Sequence, residues 1–426
     1  MSIFGLSGAN GEWRQVGGKI RLSGILLVVL ISIFIGGCWD RRELQDRNFV
    51  LAVAIDTADA GEKPGQSQAA KQTETFVQPH GDKRYRVSLQ ILRLGQSGRG
   101  GDGDSQQAGG DSGKNGGKTY VLSNTGQSLF EIVRDTLGQS SKSLYFEHIQ
   151  AIIISEAAVR QAGLKPILDL FLRDAEMRWR IKMFITPGEA RPIIEYVPPT
   201  KEAGGIYLAN ILRNHPKNIH VAGARTDLGN ISVMLSNKQD MAIPRLEMTN
   251  NIVKSNGVAL FKKDKFVGYV DEQVVAGAKY LRAAEKSAII TVPGDSPDEV
   301  VAFELFLHDT RLEAHVDGDT IYFTLDINMW GNLGEYQTPG KVKGAGDPAF
   351  VRRIEVKTAE EVKRIVLYGK DTCQSMGVDI LTFSSKLKTD HPKTWAKVKD
   401  HWDELFPYIP LVVSVNVVIN QLGEHK

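Results

Sequence analysis

The chain has 426 residues, 42% hydrophobic and 24% charged, with a formal net charge of +2. That apolar share suffices for the cores of two or three ordinary domains, and the near-neutral charge excludes the electrostatic footprint of a nucleic-acid binder. Two cysteines, Cys38 and Cys373, exclude a disulfide framework and a cysteine zinc site.

Arg14, Lys19 and Arg21 precede an apolar run, GILLVVLISIFIGG, that begins at Gly24. The run falls short of the roughly 20 apolar residues of a membrane-crossing helix. It has the length of a signal-peptide core behind a positive leader. It ends on Ile35-Gly36-Gly37-Cys38, followed by the charged WDRREL. This ending resembles a bacterial lipobox: small residues admit the backbone to the peptidase, and the Cys38 thiol takes a diacylglycerol. Cleavage after Gly37 removes residues 1–37. Two acyl chains on Cys38, or three, give stable anchoring where one would not.

Phe49–Ile55 is apolar on both parities and predicts a buried strand closed by Asp56. Arg84–Leu94 predicts a second, with Tyr85, Val87, Leu89 and Ile91 on one face. Residues 95–118 are low-complexity and glycine-rich and read as a disordered loop. The G-x-G-x-x-G inside them, Gly98 to Gly103, is compositional, because no strand feeds it and no helix follows. Then Thr119–Leu122 is extended, and Ser128-x-x-Glu131 is a capping-box pattern, with Thr125 as an alternative cap, before a helix bearing Leu129, Ile132, Val133 and Leu137. His148–Ser155 predicts a strand, Ser155 caps a short helix, and Pro166 suits the first turn of another. Arg180–Thr186 predicts a strand, with a further helix opening after Pro187-Gly188-Glu189.

From residue 199 the texture changes. A helix over Lys201–Arg213 precedes strand-like pieces at Ile231–Leu235, Ala242–Met248 and Ser255–Phe261. Phe261–Tyr269 reads as a hairpin with a charged turn, closed by a helix over Asp271–Leu281. Val300–Leu307 alternates with Val301, Phe303, Leu305 and Leu307 on one face. Arg311–Val316 continues with Leu312, Ala314 and Val316. Asp317-Gly318-Asp319 is a hairpin turn leading to Ile321–Met329, so a meander is expected. Thr358-x-x-Glu361 is a second capping-box pattern, opening a long helix with Val362, Ile365, Val366 and Cys373 inward. Another helix carries Trp395, Val398, Trp402 and Leu405, and Leu411–Ile419 is a β-branched final strand.

The expected fold class is α+β: three mixed α/β domains, each a sheet packed with helices, after the signal peptide. Their boundaries are 38–198, 199–285 and 286–426.

Several segments together resemble the Ger(x)C family, the C-subunit lipoproteins of spore germinant receptors. They are Gly37-Cys38-Trp39-Asp40-Arg41-Arg42-Glu43-Leu44, FVLAVAID (49–56), FEHIQAIIIS (146–155), FVGYVDEQVVAG (266–277) and SVNVVINQLG (414–423). The resemblance spans essentially the whole mature chain. It implies a three-domain α+β lipoprotein on the outer face of the spore inner membrane, lipidated at Cys38. It implies partnership with integral-membrane receptor subunits in nutrient-triggered germination, and no catalysis. It transfers no ligand-contact residue. The loop 95–118 departs from the family by its length.

No catalytic, cofactor-binding or metal-binding residue is assigned. No H-E-x-x-H or G-x-S-x-G occurs. Ser385-x-x-Lys388 matches one motif of penicillin-binding proteins but lacks its S-D-N and K-T-G partners. His215 and His220 read as surface residues of a loop, and His148 as a structural histidine at the start of a buried strand. Cys373 reads as a small buried hydrophobe, and Trp395 and Trp402 as core residues. The charged WDRREL segment is a solvated tether or a docking segment. The competing readings are an extracytoplasmic solute-binding lipoprotein of a transporter, which would show two similar lobes, and an envelope hydrolase.

Overall fold

A computed structural model describes residues 46–58, 83–93, 118–214, 218–219, 226–282, 287–296, 298–337 and 347–421. The leader 1–37, Cys38, the segment 39–45, all but the last residue of the loop 95–118, and His215 and His220 lie outside the described residues.

The first sheet holds β1 (Arg47–Thr57), β2 (Tyr85–Leu92), β3 (Thr119–Gly126), β4 (Ser143–Tyr145), β5 (Ala151–Ser155), β6 (Lys182–Thr186), β7 (Met241–Thr249), β8 (Ile252–Lys262) and β9 (Lys265–Val270). Their order is β3-β2-β1-β5-β6-β7-β8-β9, with β4 beside β1. β1, β5 and β6 run parallel, Ala52 opposite Ala151 and Ala151 opposite Lys182. Parallel strands covered on both faces read as continuous apolar runs, which is the pattern of FVLAVAI and AIII. On one face Val53, Ile55, Ile152, Ile154, Met183 and Ile185 meet α1 (Leu129–Thr136), α2 (Glu156–Ala162), α3 (Leu164–Arg173) and α6 (Leu228–Ser236). On the other, Ala52, Ala54, Ala151, Ile153 and Phe184 meet α4 (Arg191–Glu195) and α5 (Gly204–Ile211).

The second sheet runs β10 (Ala288–Pro293), β11 (Val300–Asp317), β12 (Thr320–Gln337) and β13 (Leu411–Gln421), in that order. β11 and β12 form a long hairpin closed at Gly318-Asp319, with Gly318 at positive φ. β13 lies parallel to β12, Phe323 opposite Leu411. A parallel neighbour needs a long crossover, here α8 (Pro348–Ser375), α9 (Phe383–Asp390), α10 (Pro392–Val398) and α11 (Trp402–Leu405). Phe303, Leu305, Phe323, Leu325, Ile327 and Met329 form a core with Phe350, Ile354, Val362, Val366 and Cys373 of α8.

The expected middle unit, 199–285, has no sheet of its own. Its strands β7 to β9 extend the first sheet, with Ile185 of β6 opposite Arg245 of β7. β8 is a wall between cores: Ala259 and Phe261 face the first, Val258 and Leu260 the C-terminal one. Gly257 begins this stretch at φ 69°, and a Cβ there would overlap the Val270 carbonyl of β9. α7 (Glu272–Tyr280) belongs to the C-terminal core.

Four local expectations are corrected. Ile231–Leu235 is helical, because Asp227 accepts the Asn230 N–H at 2.9 Å and caps α6. Ser128 precedes α1 without a side-chain cap bond. The long helix starts at Pro348, where Asp347 accepts the Ala349 N–H, so Thr358 is buried inside it. Val300–Leu307 and Arg311–Val316 are one strand with a bulge at Phe306, which turns Leu307 outward at 60% exposure and His308 inward.

Candidate functional site

Cys38 is the one residue to which the sequence assigns a covalent event, and it lies outside the described residues. Cys373 lies on α8 with no exposure, and burial first, then Asp379, pushes its thiol up to about 12. A protonated, sealed thiol is no nucleophile. Among the described residues no group of three or more His, Cys, Asp or Glu is arranged to hold a metal. Ser385 and Lys388 are exposed on the short helix α9. His148 is exposed rather than buried, its ring 5.1 Å from Phe49 and 5.6 Å from Tyr145. β5 begins only at Ala151, so His148 belongs to the approach to the strand. Trp395 and Trp402 meet edge to face at 5.3 Å, with Trp402 in the core and Trp395 packed on it.

The family-like segments perform structural work. Asp56, the last residue of FVLAVAID, is buried and accepts the N–H groups of Ala190 (2.7 Å) and Arg191 (3.1 Å) at the start of α4. Burial raises its pKa, while those donated bonds pull it back. Gln90 of β2 donates to the Ile194 carbonyl (2.5 Å) and accepts the Gly205 N–H (2.8 Å). These two side chains suspend α4 and α5 from the sheet. In FVGYVDEQVVAG, Asp271 caps α7 by accepting the Gln273 and Val274 N–H groups and also accepts the Tyr368 hydroxyl at 2.8 Å. Gly277 lets α8 approach until a Cβ would meet the Ile365 carbonyl at 2.7 Å.

A polar junction that carries no sequence signal joins β8 to the C-terminal helices. The Lys262 ammonium lies 2.6 Å from Asp403, 3.2 Å from Asp240 and 2.6 Å from the Gly377 carbonyl. Asp240 also accepts the N–H groups of Asp379 and Lys263. Asp379 accepts those of Phe383 and Ser384, at the start of α9. Burial works against the charge on Lys262, but Asp403 and Asp240 outweigh it and hold its pKa above the ordinary lysine value. Periodicity missed this cluster because it reports faces of single elements, and these charges come from different elements.

Two surface features are suited to contact. A cleft of about 550 Å³ runs between α1 and α3, lined by Tyr85, Ser128, Phe130, Asp169, Leu170 and Arg173. Across the outer face of the second sheet, Leu307, Trp330 and Val418 stand side by side on β11, β12 and β13.

Two family models match in succession: "Spore germination protein N-terminal domain" over residues 40–248 and "Spore germination B3/ GerAC like, C-terminal" over 256–423. The gap between them, 249–255, spans the turn of the β7–β8 hairpin and the start of β8. The chain is 26% identical over 412 residues to Spore germination protein YndF of Bacillus subtilis (strain 168), covering 96% of this chain and 98% of that protein. Over 421 residues it is 21% identical to Spore germination protein KC of the same organism, covering 93% and 95%. The crystal structure of the GerBC protein superimposes with a TM-score of 0.54 at 18% identity, covering 87% of this chain and 98% of that one, which shows a shared fold.

Proposed function

The chain belongs to the GerAC-like family of spore germination proteins, and from that premise we propose that it is the lipid-anchored subunit of a spore germinant receptor. In this reading Cys38 carries the diacylglycerol. The mature chain sits on the outer face of the spore inner membrane and assembles there with integral-membrane subunits in nutrient-triggered germination. The observation that carries the proposal is the succession of both family models along nearly the whole chain, behind an apolar leader that ends on Gly37-Cys38.

The solute-binding alternative predicts two similar lobes around a cleft. The nine-stranded and four-stranded sheets differ in size, strand direction and covering, which argues against it.

The test is mild-detergent extraction of spore membranes followed by pull-down of the tagged full-length chain. Integral-membrane germination proteins are expected to co-purify. Incorporation of an alkyne-bearing fatty acid is expected in the wild type and lost in Cys38→Ala. Recovery of the chain alone, with no fatty acid incorporated, would overturn the proposal.

A further inference from the structure

β1, β5 and β6 are parallel, so their first residues share one end of the first sheet, the end at which the chain enters from Cys38. The elements flanking them return to the same end. The Arg93 N–H donates to the Lys118 carbonyl at 2.8 Å, and Asn48 donates to Ser140 at 2.7 Å. Arg93, Tyr120 and Lys142 line one polar cleft of about 330 Å³ with Asn48. Phe49 packs on Tyr145 and His148, and the Lys182 N–H donates to the Gln150 carbonyl. That bond brings the preceding Arg178-Trp179-Arg180 to the same rim. Trp179 is 58% exposed there, among the most exposed large side chains described.

Charge is unevenly distributed between the two ends of the sheet. At this end Glu147 is paired with Arg178 and Asp227 with Lys182. Arg93, Lys118, Lys142 and Arg180 outnumber Asp174 and Glu176, whose carboxylates accept backbone N–H groups, while Asp46 stands beside Arg47 at the start of β1 and Asp264 beside Lys265 in the β8–β9 turn. At the opposite end, Glu156, Glu189 and Glu195 each face a cation: Arg160, Arg86 and Arg191. Clustered cations with an exposed tryptophan are the chemistry of an interface with anionic lipid, where cations meet headgroups and the indole sits at their level. The anchor fits this geometry: nine residues lie between Cys38 and Asn48, and the ten steps span at most about 36 Å when fully extended.

We propose that this end of the first sheet is a membrane-contact surface that takes anionic phospholipid headgroups through Arg93, Lys118, Lys142 and Arg180, with Trp179 inserted at headgroup depth. The proposal rests on the lipid-anchor reading above. It adds an orientation: the opposite end of the sheet, with Glu189, faces away from the bilayer.

The test uses the full-length lipidated chain, reconstituted into phosphatidylcholine vesicles with or without roughly 30% phosphatidylglycerol, a proportion that supplies a negative surface potential. Hydrogen exchange is read over residues 118–121, 140–148 and 178–182. On the anionic vesicles exchange is expected to slow at least about fivefold relative to detergent. Lys118→Glu, Lys142→Glu and Arg180→Glu together should abolish that protection while the protein still floats. Lys388→Glu, Lys393→Glu and Lys397→Glu together should leave it intact. A chain that floats but exchanges at these segments as fast as in detergent overturns the surface and spares the anchor. A chain that does not float overturns both. Protection that appears only with co-purified membrane subunits overturns the lipid surface in favour of a protein contact.

Discussion

In the first sheet β5 carries Ala151, Ile152, Ile153 and Ile154 all at 0% exposure, whereas in the second sheet β13 alternates buried Leu411, Val413 and Val417 with Val412 at 59%. β5 is sandwiched between two helical layers; β13 is covered on one face only. Every residue of a strand such as β5 is therefore structural, while alternate residues of β13 are free to face solvent or a partner. β8 joins the two regions. One parity of its side chains completes the first core and the other completes the second, so neither region has a complete surface without the other.

The comparison breaks most easily at that shared strand. Phe261→Ala should cost about 3–5 kcal/mol and Leu260→Ala about 2–5 kcal/mol. Both should shift one common unfolding transition, because the described residues from Asn48 to Gln421 form a single compact unit. Chemical denaturation followed by circular dichroism and tryptophan fluorescence checks this. Two separated transitions would show that the strand does not couple the regions.

Within the second sheet the bulge makes a sharper contrast between near neighbours. Leu305→Ala removes a fully buried side chain and should cost about 2–5 kcal/mol. Leu307→Ala, beyond the bulge on the open face, should fall within about 0.5 kcal/mol. Equal costs would mean that both faces of this sheet are covered.

Lys262→Met tests the polar junction. It leaves Asp240, whose side chain is 9% exposed, facing no cation, while Asp403 at 54% can rehydrate. The expected loss is about 1–3 kcal/mol, below that of a fully buried pair, measured as a shift of the denaturation midpoint. A stabilised variant would show that the junction contributes only specificity.

The smallest effect concerns His308, turned inward by the bulge, with neither ring nitrogen hydrogen-bonded. Burial holds its pKa below the ordinary histidine value, and the nearby Asp309 opposes this. The unfolded chain therefore binds the proton first. The contribution of His308 is fully present above about pH 6.5 and is lost as pH falls below it. His308→Leu should flatten the dependence of melting temperature below about pH 6.5, and should not lower stability at about pH 7.5, since no hydrogen bond is lost. An unchanged slope would place the pH response elsewhere.

Much of this was legible in the sequence. The apolar runs of β1, β5 and β6 required cover on both faces, and Asp317-Gly318-Asp319 marked the hairpin. The bulge also left a trace: inward positions are odd from Val301 to Leu305 and even from Leu312 to Val316, a change of parity that one straight strand cannot make. Reading two strands there, rather than one with an inserted residue, put Leu307 on the wrong face. Ile231–Leu235 misled because its β-branched residues suit a strand, while the deciding element, the Asp227 cap, lies outside the run.

By itself the chain determined the apolar leader ending on Gly37-Cys38, most of the strands and helices, and the segments that tie it to its family. Each is local, set by side-chain periodicity, by caps or by a short motif, and so survives as a pattern in one dimension. Only the tertiary structure decided that the strands of 199–285 join the first sheet, that β8 divides two cores, that Lys262 meets Asp240 and Asp403, and that Arg93, Lys118, Lys142 and Arg180 gather at one end of the sheet. Those outcomes depend on which elements pack side by side, and a periodicity records that a face is apolar without recording what covers it.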